Sequence, residues 1–278
     1  MREVSDGNLT YQIQERKGNE FDALYERFNE MATRLLEMTQ QRQADENNRK
    51  ELIAGISHDL RTPLTSIKAY IEGMKKGVAT TPEMQEKYMD TIGEKADDME
   101  YIINQLFLFS KMDLGEFPFQ LETVDICMEL EKMAAKFTDE YMKNDVSITY
   151  AKDVEHLFAC IDVVQFRNVI GNIVNNSIKY GKQADGKIEI SCQEQNNHAI
   201  ITIKDNGPGV ASEILTKMFD IFYRGDASRN NAIKGSGLGL AISAKIIERL
   251  NGTISAGSSP DDGLMTTITL PIAKGGAK

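Results

Sequence analysis

Apolar residues recur at intervals of three and four through Ile53, Ile56, Leu60, Leu64, Ile67, Ile71 and Met74. That spacing predicts a long helix with one buried face. A stricter pattern precedes it. Phe21, Leu24, Phe28, Met31, Leu35 and Met38 alternate steps of three and four, the seam of a coiled coil. Residues 40–50 are almost wholly polar, and the seam weakens there. Gly77 suits a helix C-terminus, Thr81 an N-cap, Pro82 the first helical position and Glu83 the first turn. The helix that follows places Tyr88, Ile92, Met99, Ile102, Leu106 and Phe109 on one face, interrupted by Lys95. Two long amphipathic helices joined by a short turn form an antiparallel hairpin. One hairpin leaves too much apolar stripe uncovered, whereas two hairpins from two chains bury it as a four-helix bundle. A homodimer is therefore expected.

The pattern changes after Gly115-Glu116-Phe117-Pro118. Helices are predicted over 125–143, 161–181 and 238–250. Strands are predicted over 146–151, 187–194, 198–205, 252–257 and 264–270. Helices mixed with hairpin-linked strands point to an α+β layer fold. Composition narrows the partners. The 278 residues carry a net charge of −10, which argues against nucleic acid, since phosphate backbones need a basic surface. Cys127, Cys160 and Cys192 are far apart and read as ordinary residues of a reducing compartment. No apolar run approaches the ~18 residues of a membrane span, and no signal peptide is visible. A membrane-anchored region upstream of Met1 is compatible with that.

Four segments carry candidate chemistry. His58 lies two residues from Ile56 and from Leu60, about 200° around a helix from each, so it points away from the apolar stripe. An exposed imidazole followed by Asp59 suits a nucleophile or proton carrier better than a core position. Thr62 and Pro63 follow. A proline inside a helix removes one hydrogen bond and crowds the carbonyl four residues earlier, here that of Asp59, at a cost of about 3 kcal/mol. Second, Asn172, Asn176 and Lys179 share a helix face opposite Ile170, Ile173, Val174 and Ile178. That face suits Mg²⁺ and phosphate oxygens, or is simply solvated. Third, Asp205-Asn206-Gly207-Pro208-Gly209 is either an ordinary turn or a carboxylate placed to accept from an exocyclic amine. Fourth, Gly235-Ser236-Gly237-Leu238-Gly239-Leu240 opens a helix, where backbone N–H groups can approach phosphate. His156 and His198 lack a partnered motif and are expected to be inert.

In that order, these four elements resemble the sensor histidine kinases of two-component systems, and the resemblance covers nearly the whole chain. Residues 1–44 resemble part of a HAMP module and its signalling helix, through Asn19-Glu20-Phe21-Asp22-Ala23-Leu24 and Phe28-Asn29-Glu30-Met31. Residues 45–114 resemble the dimerisation and histidine-phosphotransfer hairpin. Residues 115–278 resemble an ATP-binding domain of the Bergerat type. The fold implied is α+β: a dimeric antiparallel helical-hairpin bundle followed by a Bergerat-type α/β-sandwich.

The resemblance implies that His58 is the phosphoacceptor, that Asp59 orients it, that Thr62 positions a hydrolytic water and that Pro63 marks a bend. It implies that Asn172, Asn176, Lys179 and Tyr180 contact nucleotide, with Asn176 the Mg²⁺ ligand. Asp205 would read adenine, with Gly207 and Gly209 shaping the turn. Phe219 and Phe222 would anchor a lid, Arg224 and Arg229 would reach the phosphates, and Gly235, Gly237, Leu238 and Gly239 would close over them. ATP and Mg²⁺ are the implied cofactors and a response regulator receiver domain the implied partner, in a cytoplasmic portion of a cell-membrane protein. Ser177 and Gly181 depart from the family pattern without removing a group the chemistry needs. Two other readings stay open: a Bergerat-type ATPase, which leaves the His58 helix without a task, and a nucleotide-binding scaffold without catalysis.

Overall fold

The computed structural model describes residues 22–141, 146–181, 185–220, 223, 237–259 and 263–273. The expectations for residues 1–21, Phe222, Arg224, Arg229 and Gly235 lie outside the described residues. The chain divides into two compact units, residues 1–55 and 56–278. Helix α1, Asp22–Lys75, runs through both. In the first unit, the heptad residues Leu24, Met31, Leu35 and Met38 are exposed in the single chain.

In the second unit α1 continues unbroken past Pro63 and ends at the expected turn. Gly77 takes a positive φ of 70°. The Val78 N–H then reaches back to the Gly73 carbonyl at 2.9 Å and the Gly77 N–H to that of Met74 at 3.1 Å, satisfying carbonyls a helix end leaves bare. The Thr81 hydroxyl accepts from the Met84 N–H and starts helix α2, Pro82–Asp113, with Pro82 in its first turn. Tyr70 and Tyr88 meet edge to face across the two helices, ring centroids 4.9 Å apart. Leu64, Ile71, Met89, Ile103 and Phe107 remain exposed on the hairpin.

Beyond the hairpin, β1 (Glu122–Asp125) pairs antiparallel with β3 (Phe158–Ile161). Neither strand is evident from alternation, because each has only four residues. The main sheet contains β2 (Val146–Lys152), β4 (Gly186–Gln195), β5 (His198–Asp205), β6 (Thr253–Ser259) and β7 (Gly263–Pro271). Its order is β2-β4-β5-β7-β6, with β2 parallel to β4 and every other pair antiparallel. Helices α3 (Ile126–Glu140), α4 (Val163–Tyr180) and α6 (Gly239–Arg249) supply the second layer; α5, Ser212–Leu215, is a single turn. Phe166, Ile170 and Val174 of α4 are fully buried with Ile190, Ile201 and Ile268 of the sheet. Each such side chain contributes roughly 1.5–3 kcal/mol by leaving water. The predicted helices and strands of this region are all present, with ends shifted by a few residues.

Helix α6 also meets the end of α2. Lys245 pairs with Asp113 and lies 4.7 Å from the Phe109 ring centroid. The Arg249 guanidinium donates to the Met112 carbonyl at 2.9 Å.

One contact lies outside what the spacing announces. His156 does have a partner: its Nδ1 lies 2.6 Å from Asp125 Oδ2. The two are 31 residues apart, so no local motif announces the pair. Asp125 is the N-cap of α3 and accepts from the N–H groups of Cys127, Met128 and Leu157. Burial pushes its carboxyl up, but the bonds from His156 and the three backbone amides outweigh that, and the net direction is down. A carboxylate with a depressed folded pKa stabilises above its unfolded pKa, near 4, and loses that contribution as pH falls through the lower folded value. Asp125→Ala should therefore cost about 1 kcal/mol at pH 7, as an N-cap loss does. Urea midpoints at descending pH should show that difference shrinking below about pH 4; a constant difference would remove the charge from the explanation.

Candidate functional site

His58 stands on the outer face of α1 with its side chain 71% exposed, as its offset from the apolar stripe requires. Its Nδ1 lies 3.1 Å from Asp59 Oδ1, and the Asp59 side chain is only 12% exposed. The carboxylate is thus shielded while the imidazole stands in water. With Nδ1 donating to Asp59, Nε2 keeps its lone pair outward, the tautomer a nucleophile needs. Thr62 sits one turn on, and its hydroxyl donates to the His58 carbonyl at 3.4 Å. Pro63 is buried beside this exposed turn.

The second group lies on the α/β layer. Strand β5 alternates strictly: Ala199, Ile201 and Ile203 face inward, and Asp205 has the same parity. The register that buries three apolar side chains therefore drives a carboxylate into the core layer, 6% exposed. Its Oδ1 accepts from the Gly207 N–H at 2.9 Å and the Leu264 N–H at 3.0 Å. Oδ2 carries neither of those bonds. Asn206 secures the turn from outside by accepting from the Lys187 N–H at 2.8 Å and donating to the Asp185 carbonyl at 2.9 Å. A methyl at Gly207 would meet Asp205 Oδ1 at 2.9 Å and Gly181 Cα at 3.0 Å, so both glycines permit the turn to close on the end of α4. Gly209 takes a φ of 68°.

Asn172, Asn176 and Lys179 occupy the half-buried face of α4 that the spacing predicts, while Ile170, Ile173 and Val174 are buried. Asn172 has a further role. Its amide donates to the Gly239 carbonyl at 3.2 Å and to the Ser243 hydroxyl at 3.4 Å, tying α4 to the start of α6. Tyr180 is exposed at the end of α4, with the Lys179 ammonium 5.9 Å from its ring centroid. Gly237 has a φ of 66°, Leu238 is fully buried, and Gly239 is the first residue of α6. Among the described residues no side chain caps that helix, whose N-terminus carries the positive end of the helix dipole. Phe219 is half-buried. The structure thus assembles a buried acceptor, a row of amides and a helix N-terminus. Amide oxygens fit a hydrated Mg²⁺, which prefers few protein ligands plus phosphate oxygens, and an ammonium fits the phosphate itself. Sequence reasoning missed the contacts of Asn172 and the Leu264 N–H, both of which depend on long-range packing.

Three family models match the chain. They are the HAMP domain over residues 1–37, the His Kinase A phospho-acceptor domain over 48–115, and the histidine kinase-, DNA gyrase B- and HSP90-like ATPase over 161–274. The sensor protein kinase WalK of Staphylococcus saprophyticus is 35% identical over 239 residues, 85% of this chain and 38% of the relative. The chain belongs to the sensor histidine kinases of two-component systems. WalK of Staphylococcus aureus is 34% identical over 241 residues, again 85% of this chain and 57% of one form of the relative. The chain therefore spans little more than a third to little more than half of these sensor kinases. Solved histidine kinases share the fold. A complex of ThkA with the response regulator protein TrrA has a TM-score of 0.67 and 22% identity, covering 86% of this chain and 66% of that one. The Acinetobacter baumannii kinase AdeS has a TM-score of 0.64 and 24% identity, covering 78% and 98%. Among the described residues no helix is long and apolar enough to cross a membrane.

The Asn172 tie makes a local prediction. Asn172→Ala removes two modest hydrogen bonds worth about 1 kcal/mol net. Amide exchange at residues 240–243 should accelerate about fivefold, with the rest of α6 unchanged. Unchanged exchange there would show that α4 does not hold the start of α6.

Proposed function

We propose that this chain is an ATP:protein-histidine phosphotransferase that phosphorylates itself on His58 and passes the phosphoryl group to an aspartate of a response regulator receiver domain. The observation that carries this reading is the exposed His58 imidazole with Nδ1 turned to a shielded Asp59 carboxylate. His58 Nε2 attacks the γ-phosphorus of ATP, the bond to the bridging oxygen breaks, and ADP leaves. Asp59 holds the Nδ1 proton and stabilises the imidazolium charge that develops. Asp205 Oδ2 accepts from the adenine amine. Asn172, Asn176, Lys179, Tyr180, Gly207, Gly209, Arg224, Arg229, Gly235, Gly237, Leu238 and Gly239 bind the rest of the nucleotide. Asn176 would hold Mg²⁺, which would neutralise phosphate charge; the protein's own share of the work is positioning. Thr62 orients the water that removes phosphate from the regulator.

The domain limits that go with this reading are 1–44 for a partial HAMP module, 45–114 for the phosphotransfer hairpin and 115–278 for the ATP-binding domain. The exposed Leu64, Ile71, Met89, Ile103 and Phe107 are the surface a second copy would cover. An upstream membrane-anchored sensor region, with this portion in the cytoplasm, completes the proposed protein.

The test is incubation with γ-labelled ATP and Mg²⁺. Wild type should acquire acid-labile, alkali-stable label, and His58→Ala should acquire none. ATP hydrolysis without protein label would favour a Bergerat-type ATPase, and nucleotide binding without either would favour a scaffold. Asp59→Asn should slow labelling by 10²-fold or more, within the usual range for losing an acid–base partner. Labelling at the wild-type rate would remove Asp59 from the mechanism.

A further inference from the structure

The start of β7 is built around the Asp205 carboxylate, and its construction has a consequence for base selection. Gly263 adopts a φ of +75°, and a Cβ there would lie 2.0 Å from the Asp205 carbonyl oxygen and 2.8 Å from Asp205 Oδ1. The first contact is with backbone and cannot be relieved by rotating a side chain. This close approach delivers the next amide, Leu264 N–H, to Oδ1 at 3.0 Å. Ser258, on the neighbouring strand, fixes the same corner from the other side. Its hydroxyl donates to the Gly263 carbonyl at 3.2 Å and accepts from the Val210 N–H at 2.6 Å. Val210 directly follows the Asp205–Gly209 turn, so Ser258 joins that turn to the β6–β7 corner.

We infer that Ser258, Gly263 and Leu264 form a clamp that sets purine selectivity through Asp205. The two backbone donors occupy Oδ1 and stop the carboxylate from rotating, which leaves Oδ2 as the acceptor offered to a ligand. A fixed, buried acceptor rewards a base that brings a donor and penalises one that does not, because the oxygen is then desolvated without a partner. The clamp thus makes a 6-amino purine the preferred base. Ser258 and Gly263 are positioning residues. They act through Asp205 and need not touch the base.

This inference rests on the reading of Asp205 as the contact to the adenine amine, and the experiment separates the two. Affinities of the full chain for ATP and for purine riboside triphosphate, which lacks the 6-amino group, are measured by calorimetry with Mg²⁺. Wild type should prefer ATP by at least tenfold. In Gly263→Ala the ATP affinity should fall by tenfold or more and the analogue affinity far less, so the ratio collapses toward one. Ser258→Ala introduces no steric conflict and keeps the test alive if Gly263→Ala does not fold; its ratio should fall about threefold. A folded variant of either kind that weakens both ligands equally, or neither, would overturn the clamp while leaving Asp205 in place. A wild-type ratio near one would overturn the adenine contact and the clamp together.

Discussion

A carboxylate cannot sit in an apolar layer unless donors meet it, and that constraint organises the Asp205 end of the sheet. Asp205 occupies the inward parity of β5 behind Ala199, Ile201 and Ile203. Two amides answer it, one from its own turn and one from β7. Supplying the second requires the β7 backbone to approach within contact of Asp205, which only glycine allows at position 263. Supplying the first requires the turn to close on the end of α4, where Gly207 and Gly181 face each other. One buried charge therefore fixes the relative placement of β5, β7 and α4. The same α4 carries the amide face, and Asn172 passes its position on to α6.

The hairpin obeys a different constraint. A nucleophile must be accessible, yet its helix must bury a stripe. His58, the proposed nucleophile, meets both by standing opposite the stripe, while Asp59 beside it is shielded. The ends of α2 and α6 are joined by Asp113–Lys245 and by Arg249 to the Met112 carbonyl. The exposed ion pair contributes little stability, in the range of 0–1 kcal/mol for surface pairs. The bond to a main-chain carbonyl depends on the helix ending where it does. Contacts of this kind set geometry more than stability.

Much of this was legible in the sequence because it depends on local rules. Helix periodicity, the Gly77 to Pro82 turn and strand alternation act over a few residues, and they placed the hairpin and the main elements of the α/β layer. The inward Asp205 was also within reach, since the alternation of Ala199, Ile201 and Ile203 continues onto it; reading the segment as a turn hid that parity. What stayed hidden joins distant segments. β1 and β3 are too short to alternate visibly and exist because they pair with each other. Asn172 reaches Ser243 across 71 residues, and Leu264 reaches Asp205 across 59. No spacing rule records such contacts.

The two histidine–aspartate pairs show why a pairing alone does not identify a reactive centre. His156–Asp125 is the shorter, at 2.6 Å against 3.1 Å for His58–Asp59. Both imidazoles are exposed, and both use Nδ1. The difference lies in the carboxylate. Asp125 also accepts from three backbone amides at the start of α3, so its charge is spread over a helix cap. Asp59 lies on the helix body next to its histidine and caps no helix end. That places its carboxylate beside Nδ1 with no helix end to satisfy, the arrangement that the proposed mechanism uses. The shorter contact therefore serves the fold, and the longer one is the pair to which the proposed chemistry is assigned. Distance ranks the pairs one way, and the place of each carboxylate in its helix ranks them the other.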